Sequence, residues 1–485
     1  MIRLFGKHAV LYAIGNICLR AAAFFLIPLY TRFLSINDYG LLSSLLLTNQ
    51  ILMIFMDLGM RIALLRFATE YKNKGLLGHL IGTSLTVVIL GWIVVTCLST
   101  FCLTSFFSAI LHTNDIQLYI FLTCSLSLVQ AISIYLMSYY RSGNDVIKYM
   151  KTGIAAALLL MIINSILLTW LSAGIKGVLI GGILSYGIVL LVVSIDILSR
   201  TGINISATIA KKLLPFGSPL VFAMLGQLIM SGVSIYFISY FLGLKSVAIF
   251  SLGQKLAGIV DMALVYPFQL ALQPLVYSNL DKPDLKSDLG RLLTYYMLSI
   301  VLFSFMFLTL IRMLLPLIAP PEYSSAFLII LFLIPVSIFR GIYYFGETLI
   351  TITKKTYYTG VAISFCAFLC LVLNYTCIPK FEEFGAIISI NASYFLAAFL
   401  AIMLGIRQFP LAVEKKRICI VSVIFILVFL CCIVLLNLNH LSSIIINVFT
   451  FCLILIYLAI GNFFNDREKA IAINFISNSP LRKYL

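Results

Sequence analysis

The sequence predicts an all-α polytopic membrane protein with about 14 transmembrane helices. Of its 485 residues, 62% are hydrophobic and only 10% are charged, whereas a soluble domain carries about 25% charged residues. One membrane-spanning helix needs ~20 predominantly apolar residues, so this composition suffices for well over ten crossings. It excludes an ordinary soluble fold and a disordered chain, and it leaves little room for an extramembrane domain.

Continuous apolar runs define the individual spans. Transmembrane barrel strands would alternate polar and apolar residues, whereas runs such as Ile418–Leu436 are apolar throughout. The connections are short, so no soluble catalytic domain fits between the spans. We predict spans at roughly 9–30, 40–60, 77–103, 116–138, 150–171, 175–197, 214–240, 246–272, 291–316, 324–350, 357–378, 384–405, 418–437 and 441–464.

The basic residues cluster on one side of the predicted membrane. If both termini are cytoplasmic, 25 of the 33 Lys and Arg residues fall in cytoplasmic segments, 4 in outer loops and 4 within spans. Cytoplasmic loops of membrane proteins are enriched in these residues, so the bias predicts a multi-pass protein with both termini in the cytoplasm. It also accounts for the net charge of +16 without a nucleic-acid partner.

A weak internal repeat relates two halves of the chain. A shift of 211 residues aligns Phe5-Gly6 with Phe216-Gly217 and Gly15-Asn16 with Gly226-Gln227. An even number of spans separates the aligned segments, so the halves would be parallel repeats with a substrate path between them. We therefore expect two six-helix lobes, two further helices and a cytoplasmic tail, at residues 1–205, 206–410, 411–465 and 466–485.

Two cations are predicted deep inside spans. An intramembrane Arg or Lys costs ~2.5–3.5 kcal/mol on insertion scales, so it needs a buried partner or a hydrated cavity. Arg20 lies near the middle of the first span, with Asn16 one helical turn before it, and Lys255 lies deep in the eighth. We expect these residues to line a cavity that binds an anion. The alternative is a structural ion pair, which for Lys255 would involve Asp261.

Other charged residues have less specific interpretations. Arg340 and Glu347 lie seven residues apart on nearly one face of the tenth span, where they form a polar relay or pair separately with neighbouring helices. Arg61 and Arg66 follow the second span at the cytoplasmic mouth, where they capture an anion or are ordinary positive-inside charges. Asp57, four residues before Arg61, is expected to pair with it.

The first outer loop carries Arg32 and Asp38, which either gate the outer side or simply set the fold of the loop. The chain has 11 Cys and four scattered His but no CxxC pair, so we expect neither a metal site nor a disulfide framework, and no cofactor. Nor is a nucleophile–base pair visible. We therefore expect a transporter and not an enzyme.

Five short segments, in this order, resemble polysaccharide-transport flippases of the multidrug/oligosaccharidyl-lipid/polysaccharide (MOP) exporter superfamily, and most of all their O-antigen branch. The resemblance covers about residues 1–405. The segments that carry it are Pro28–Gly40, Asp57–Met60 with Arg66, Ala248–Leu256, Glu322–Ala326 and Gly385-Ala386.

This resemblance implies a substrate and a mechanism. The substrate would be an undecaprenyl-pyrophosphate-linked oligosaccharide, moved from the cytoplasmic to the periplasmic leaflet of the bacterial inner membrane in lipopolysaccharide biosynthesis. The mechanism would be alternating access, in which the two lobes rock around a central cationic cavity. A polysaccharide polymerase and a chain-length regulator would be its partners. Two alternatives stay open: a multidrug/cation antiporter of the same superfamily, and a membrane O-antigen polymerase, ligase or glycosyltransferase.

Overall fold

The computed structural model describes residues 24–101, 115–142, 145–277, 279–280, 282–353, 357–437, 440–460 and 463–464. Within these ranges the chain is helical and contains no strand, which confirms the predicted all-α fold. Eleven of the described helices are long and apolar enough to cross a membrane. The predicted first span falls mostly outside the described residues.

Helices of the first half follow the predicted spans with a few additions. Two short helices, α1 and α3, flank the second predicted span, and the seventh consists of two helices. In chain order the helices are α1 (Ile27–Phe33), α2 (Ile36–Asp57), α3 (Met60–Asn73), α4 (Leu77–Phe101), α5 (Ile116–Ser142), α6 (Val146–Thr169), α7 (Gly174–Thr201), α8 (Ala207–Gly232) and α9 (Ser234–Leu242).

Helices of the second half match the predicted spans closely. The eighth span is interrupted by one π-helical segment, Asp261–Val265, and a short 3-10 turn, Pro321–Tyr323, precedes the tenth. The helices are α10 (Leu244–Val260), α11 (Tyr266–Tyr277), α12 (Leu285–Ile318), α13 (Ala326–Ile352), α14 (Tyr357–Phe381), α15 (Glu383–Gln408), α16 (Lys415–Val434) and α17 (His440–Ile460).

The described residues form two compact units. The first contains the chain up to Leu280 together with Leu315–Pro410, and the second contains Asp281–Leu314 and the residues from Leu411 onward. Most of α12 therefore belongs with the C-terminal helices α16 and α17. In the second unit, Arg312 donates hydrogen bonds to the carbonyl oxygens of Leu435 and Leu436, which satisfies acceptors left open at the end of α16.

Helix α2 ends at a sharp backbone break that creates α3. Leu58 and Gly59 both have positive φ angles, 45° and 75°, which an α-helix cannot accommodate. A Cβ atom on Gly59 would lie 2.6 Å from the carbonyl oxygen of Gly217, so the backbones of the break and of α8 touch. The break directs α3, with Arg61 and Arg66, away from the axis of α2.

At its other end α2 packs tightly against α10. A Cβ atom on Gly40 would lie 2.0 Å from the carbonyl oxygen of Leu244, so only glycine allows this approach. Nearby, the ring of Tyr39 contacts that of Tyr323 edge-on at 5.9 Å between centroids. This end of the first unit, which the charge bias predicts to face outward, is closed by direct helix contacts.

Candidate functional site

A cavity of about 960 Å³ lies inside the first unit, and we call it the main cavity. Its walls include residues of α1 to α3, α5 to α11 and α13, together with the π-helical segment. Among the described residues that line it, four cations accompany one acid, in agreement with the predicted cationic character of the cavity. These charged residues are Arg61, Arg141, Lys255, Asp261 and Arg340.

Lys255 reaches the main cavity from α10. Its ammonium group donates to the hydroxyls of Tyr39 at 3.2 Å and Ser43 at 3.4 Å, and it lies 4.8 Å from the centroid of the Tyr39 ring. These partners are neutral, and within the described part of the chain no carboxylate pairs with Lys255. Only hydroxyls and a ring face lie against the ammonium group, so no described side chain of opposite charge compensates it.

Asp261 pairs with Arg340 and not with Lys255. Nη1 of Arg340, on α13, donates to Oδ2 of Asp261, and its guanidinium lies 4.6 Å from the centroid of the Tyr394 ring. Both charged side chains are largely buried, with 14% and 6% of their surfaces accessible. Asp261 is the first residue of the π-helical segment, and such segments are frequent at functional sites. The pair leaves Arg340 electrically compensated in this state.

A second, smaller cavity of about 410 Å³ adjoins the main cavity, and we call it the side chamber. The two cavities share six lining residues, among them Arg61, Tyr266 and Arg340, so they adjoin near the ion pair. Four tyrosines and two glutamines belong to the lining of the chamber, together with the two arginines and Ser231. The tyrosines and glutamines are Tyr266, Tyr343, Tyr344, Tyr394, Gln50 and Gln227.

Neutral hydrogen-bonded amides also line the main cavity. Asn49 donates to Oε1 of Gln130 at 2.8 Å and accepts from Ser127 at 2.7 Å. Asn164 donates to the hydroxyl of Tyr30 at 2.8 Å. Hydrogen-bonded amides offset the cost of placing polar groups at membrane depth. The main cavity thus combines charged side chains from α3, α5, α10, the π-helical segment and α13 with neutral amides from α2, α5 and α6.

The structure corrects one predicted contact. Asp57 and Arg61 are adjacent as predicted, but Asp57 accepts a hydrogen bond from the backbone N–H of Arg61 at 3.2 Å instead of pairing with its guanidinium. The backbone break at Leu58 and Gly59 causes this, since it leaves the first N–H groups of α3 without helical acceptors. The side chain of Arg61 lines both cavities.

The remaining described site residues line neither cavity. Arg32 donates to the carbonyl oxygen of Leu317 at 2.7 Å, and Asp38 accepts from the hydroxyl of Ser35 at 2.7 Å in the N-terminal cap of α2. For Asp38 this geometry agrees with a role in the fold of the loop. Arg66 is exposed, and Glu347 lines neither cavity. Arg20 and Asn16 lie outside the described residues.

Several cavity residues were not predicted from the sequence. Tyr39 and Ser43, which contact Lys255, and the tyrosines of the side chamber come from helices distant in sequence. One signal was available for α2. Polar residues Ser43 and Gln50 are seven apart and share one helix face, and both line the main cavity. Among the described residues no cluster of three metal-ligating side chains occurs.

A bundle of membrane helices around a large, charged cavity is the architecture of a transporter. The family described as "Polysaccharide biosynthesis protein" matches residues 5–279, which is more than half of the chain. The protein therefore belongs to this family. No curated protein sequence matches the chain significantly.

Solved structures of transporters share its fold. The lipid II flippase MurJ, in an inward closed conformation, is 16% identical, with a TM-score of 0.65 over 92% of this chain and 99% of that one. A mutant of the Vibrio cholerae MATE transporter VcmN is 17% identical, with a TM-score of 0.59 over 83% and 96%. A MOP superfamily transporter from Pyrococcus furiosus is 13% identical, with a TM-score of 0.56 over 86% and 96%. The resemblance seen in the sequence is confirmed: the chain is a multi-pass membrane protein with the MOP transporter fold.

Proposed function

We propose that the protein is a flippase for an undecaprenyl-pyrophosphate-linked O-antigen repeat unit in lipopolysaccharide biosynthesis. It would carry the unit from the cytoplasmic to the periplasmic leaflet of the bacterial inner membrane by alternating access, and deliver it to a polysaccharide polymerase and its chain-length regulator. The main support for this proposal is Lys255, a cation on the wall of the main cavity with only neutral contacts.

The charge of the cavity supports an anionic head group. A diphosphate must leave water to cross the membrane, and charge-assisted hydrogen bonds from Lys or Arg offset that cost. Lys255 and Arg61 provide two such groups on the main cavity, and the neutral amides of Asn49 and Gln130 suit the hydroxyls of sugars. A cation antiporter would need unpaired acids in this place, whereas the single described acid of the cavity, Asp261, is paired.

The shape of the cavity supports uptake from the side that the charge bias assigns to the cytoplasm. The main cavity extends to Arg61 on α3 and to Arg141 at the end of α5. At the opposite end, the contacts of Gly40 with Leu244 and of Tyr39 with Tyr323 close the path. This state is suited to receive a lipid-linked sugar from the basic side of the membrane.

Substitution of Lys255 tests the proposal. We expect Lys255→Ala to abolish O-antigen assembly, because no other described cation occupies this wall of α10, and Lys255→Arg to retain part of it. The measurement is complementation of a flippase-deleted strain that carries the matching sugar-assembly genes, read as long-chain polysaccharide on gels.

Lys245→Ala is the matched control, since Lys245 lies on the same helix, is exposed and lines neither cavity. The control should complement fully at equal expression. Full complementation by Lys255→Ala would refute the role of the cation. Failure of the unaltered protein to complement would favour the antiporter or enzyme alternatives.

A further inference from the structure

The side chamber has the size and chemistry of a site for one sugar. We propose that it binds the sugar bonded directly to the diphosphate and thereby determines which lipid-linked units are carried. This inference rests on the proposed function, because it assumes that a diphosphate occupies the main cavity. At about 410 Å³ the chamber lies at the lower end of the ~300–1,000 Å³ typical of small-molecule sites, so it suits a single sugar better than a whole repeat unit.

The chamber walls combine ring faces with amides. Tyr344 and Tyr394 are largely buried in the protein and Tyr266 is half-buried, so their rings are held by packing. A tyrosine ring offers an apolar face to the C–H face of a pyranose and a hydroxyl to its oxygens. Few other biological head groups present an apolar face and several hydroxyls on one small ring.

The two glutamines supply free hydrogen-bonding capacity. Gln50 on α2 and Gln227 on α8 are both exposed to the chamber, and neither side-chain amide has a hydrogen-bond partner among the described residues. Each amide carries two donor hydrogens and an acceptor oxygen, which matches sugar hydroxyl and acetamido groups. Gln227 lines the side chamber but not the main cavity.

The position of the chamber fits the order of groups in the substrate. Arg340 and Arg61 belong to both cavities and stand where they join. Arg340 is already paired with Asp261, so Arg61 is the cation available at this junction. A diphosphate bound in the main cavity near Arg61 would place its attached sugar at the chamber mouth, while later sugars extend along the main cavity. The first sugar is therefore the one that would bind in the side chamber.

Binding of short lipid analogues tests this proposal. The probes are farnesyl diphosphate and farnesyl diphosphates carrying N-acetylglucosamine, glucose or galactose, measured by calorimetry with the purified full-length protein. We expect at least one sugar-bearing probe to bind the unaltered protein about three- to tenfold more tightly than farnesyl diphosphate, the range for one net neutral hydrogen bond. Gln227→Leu should remove this difference and leave the affinity for farnesyl diphosphate unchanged.

Two further variants make the result decisive. Gln227→Trp, which fills the chamber, should weaken binding of the preferred sugar probe to or below that of farnesyl diphosphate. Gln117→Leu is the matched control: it makes the same substitution as Gln227→Leu at an exposed residue that lines neither cavity. This variant should keep the sugar preference.

The possible outcomes separate this inference from the proposed function. If the unaltered protein binds farnesyl diphosphate in a Lys255-dependent manner but prefers no sugar probe, or if both Gln227 variants keep the preference, the chamber inference is wrong and the flippase proposal stands. If farnesyl diphosphate and all sugar probes fail to bind, the anionic substrate itself is wrong.

Discussion

At the scale of single residues, the Arg340–Asp261 pair makes a strong prediction about stability. Removing one partner of a buried ion pair costs about 3–5 kcal/mol, because the other charge is left buried and uncompensated. We expect Arg340→Ala to destabilise the protein by this amount, since Asp261 is only 6% accessible. Thermal unfolding of the purified protein in detergent measures the effect.

A double variant separates charge from packing. Arg340→Met with Asp261→Leu removes both charges, and it should recover most of the lost stability. Arg66→Ala serves as the control, because Arg66 is exposed and should change the unfolding temperature little. Equal effects of Arg340→Ala and Arg66→Ala would contradict the buried pair.

At the scale of helices, the contact between α2 and α10 depends on one glycine. Gly40→Ala would place a methyl group against the carbonyl oxygen of Leu244, and such overpacking costs about 1–3 kcal/mol. We expect the closed end to loosen, with faster hydrogen–deuterium exchange in the first turns of α2 and α10.

The same substitution at Gly360 provides the comparison. Gly360 lies in α14, and nothing in the described structure lies within 4 Å of a Cβ atom built there. Gly360→Ala should therefore leave hydrogen–deuterium exchange unchanged, or slow it because alanine has a higher helix propensity than glycine. Unaltered exchange in Gly40→Ala would show that the two helices are not held by this contact.

At the scale of the whole molecule, the basic residues predict the orientation in the membrane. Alkaline phosphatase is active only after export, so fusions report the side on which a loop lies. We expect active fusions after Gly243 and Pro320 and inactive fusions after Gly202 and Pro410, because the latter loops lie on the basic side. The reverse pattern would overturn the orientation and with it the direction proposed for transport.

Much of the fold could be predicted from the sequence because continuous apolar runs specify membrane helices directly. Apart from α3, the described helices from α2 onward fall on the predicted spans. The addition of α3 was not predicted, since it follows from positive φ angles at Leu58 and Gly59, and a leucine gives no sign of such a conformation. The division into lobes at residues 205 and 410 stays a prediction.

The site could be predicted only in part, because the sequence shows which residues are charged but not which residues they contact. A charged residue in an apolar run is visible in the sequence, so Lys255 and Arg340 were found. Their partners Tyr39, Asp261 and Tyr394 are set by tertiary packing and by the π-helical segment, which changes the helical phase. Sequence spacing put Lys255 and Asp261 on different faces of a regular helix, which made a contact between them less favourable, but it could not say which helix supplies the partner.

The contact of Lys255 with Tyr39 has one more consequence. The lysine belongs to α10, whereas the ring and hydroxyl that shield it belong to the end of α2 that seals the cavity. If the proposed function is right and those helices separate, water would replace the ring, the local dielectric constant would rise, and the attraction between the ammonium and a bound phosphate would weaken severalfold. Separation of α2 from α10 would then itself promote release of the substrate.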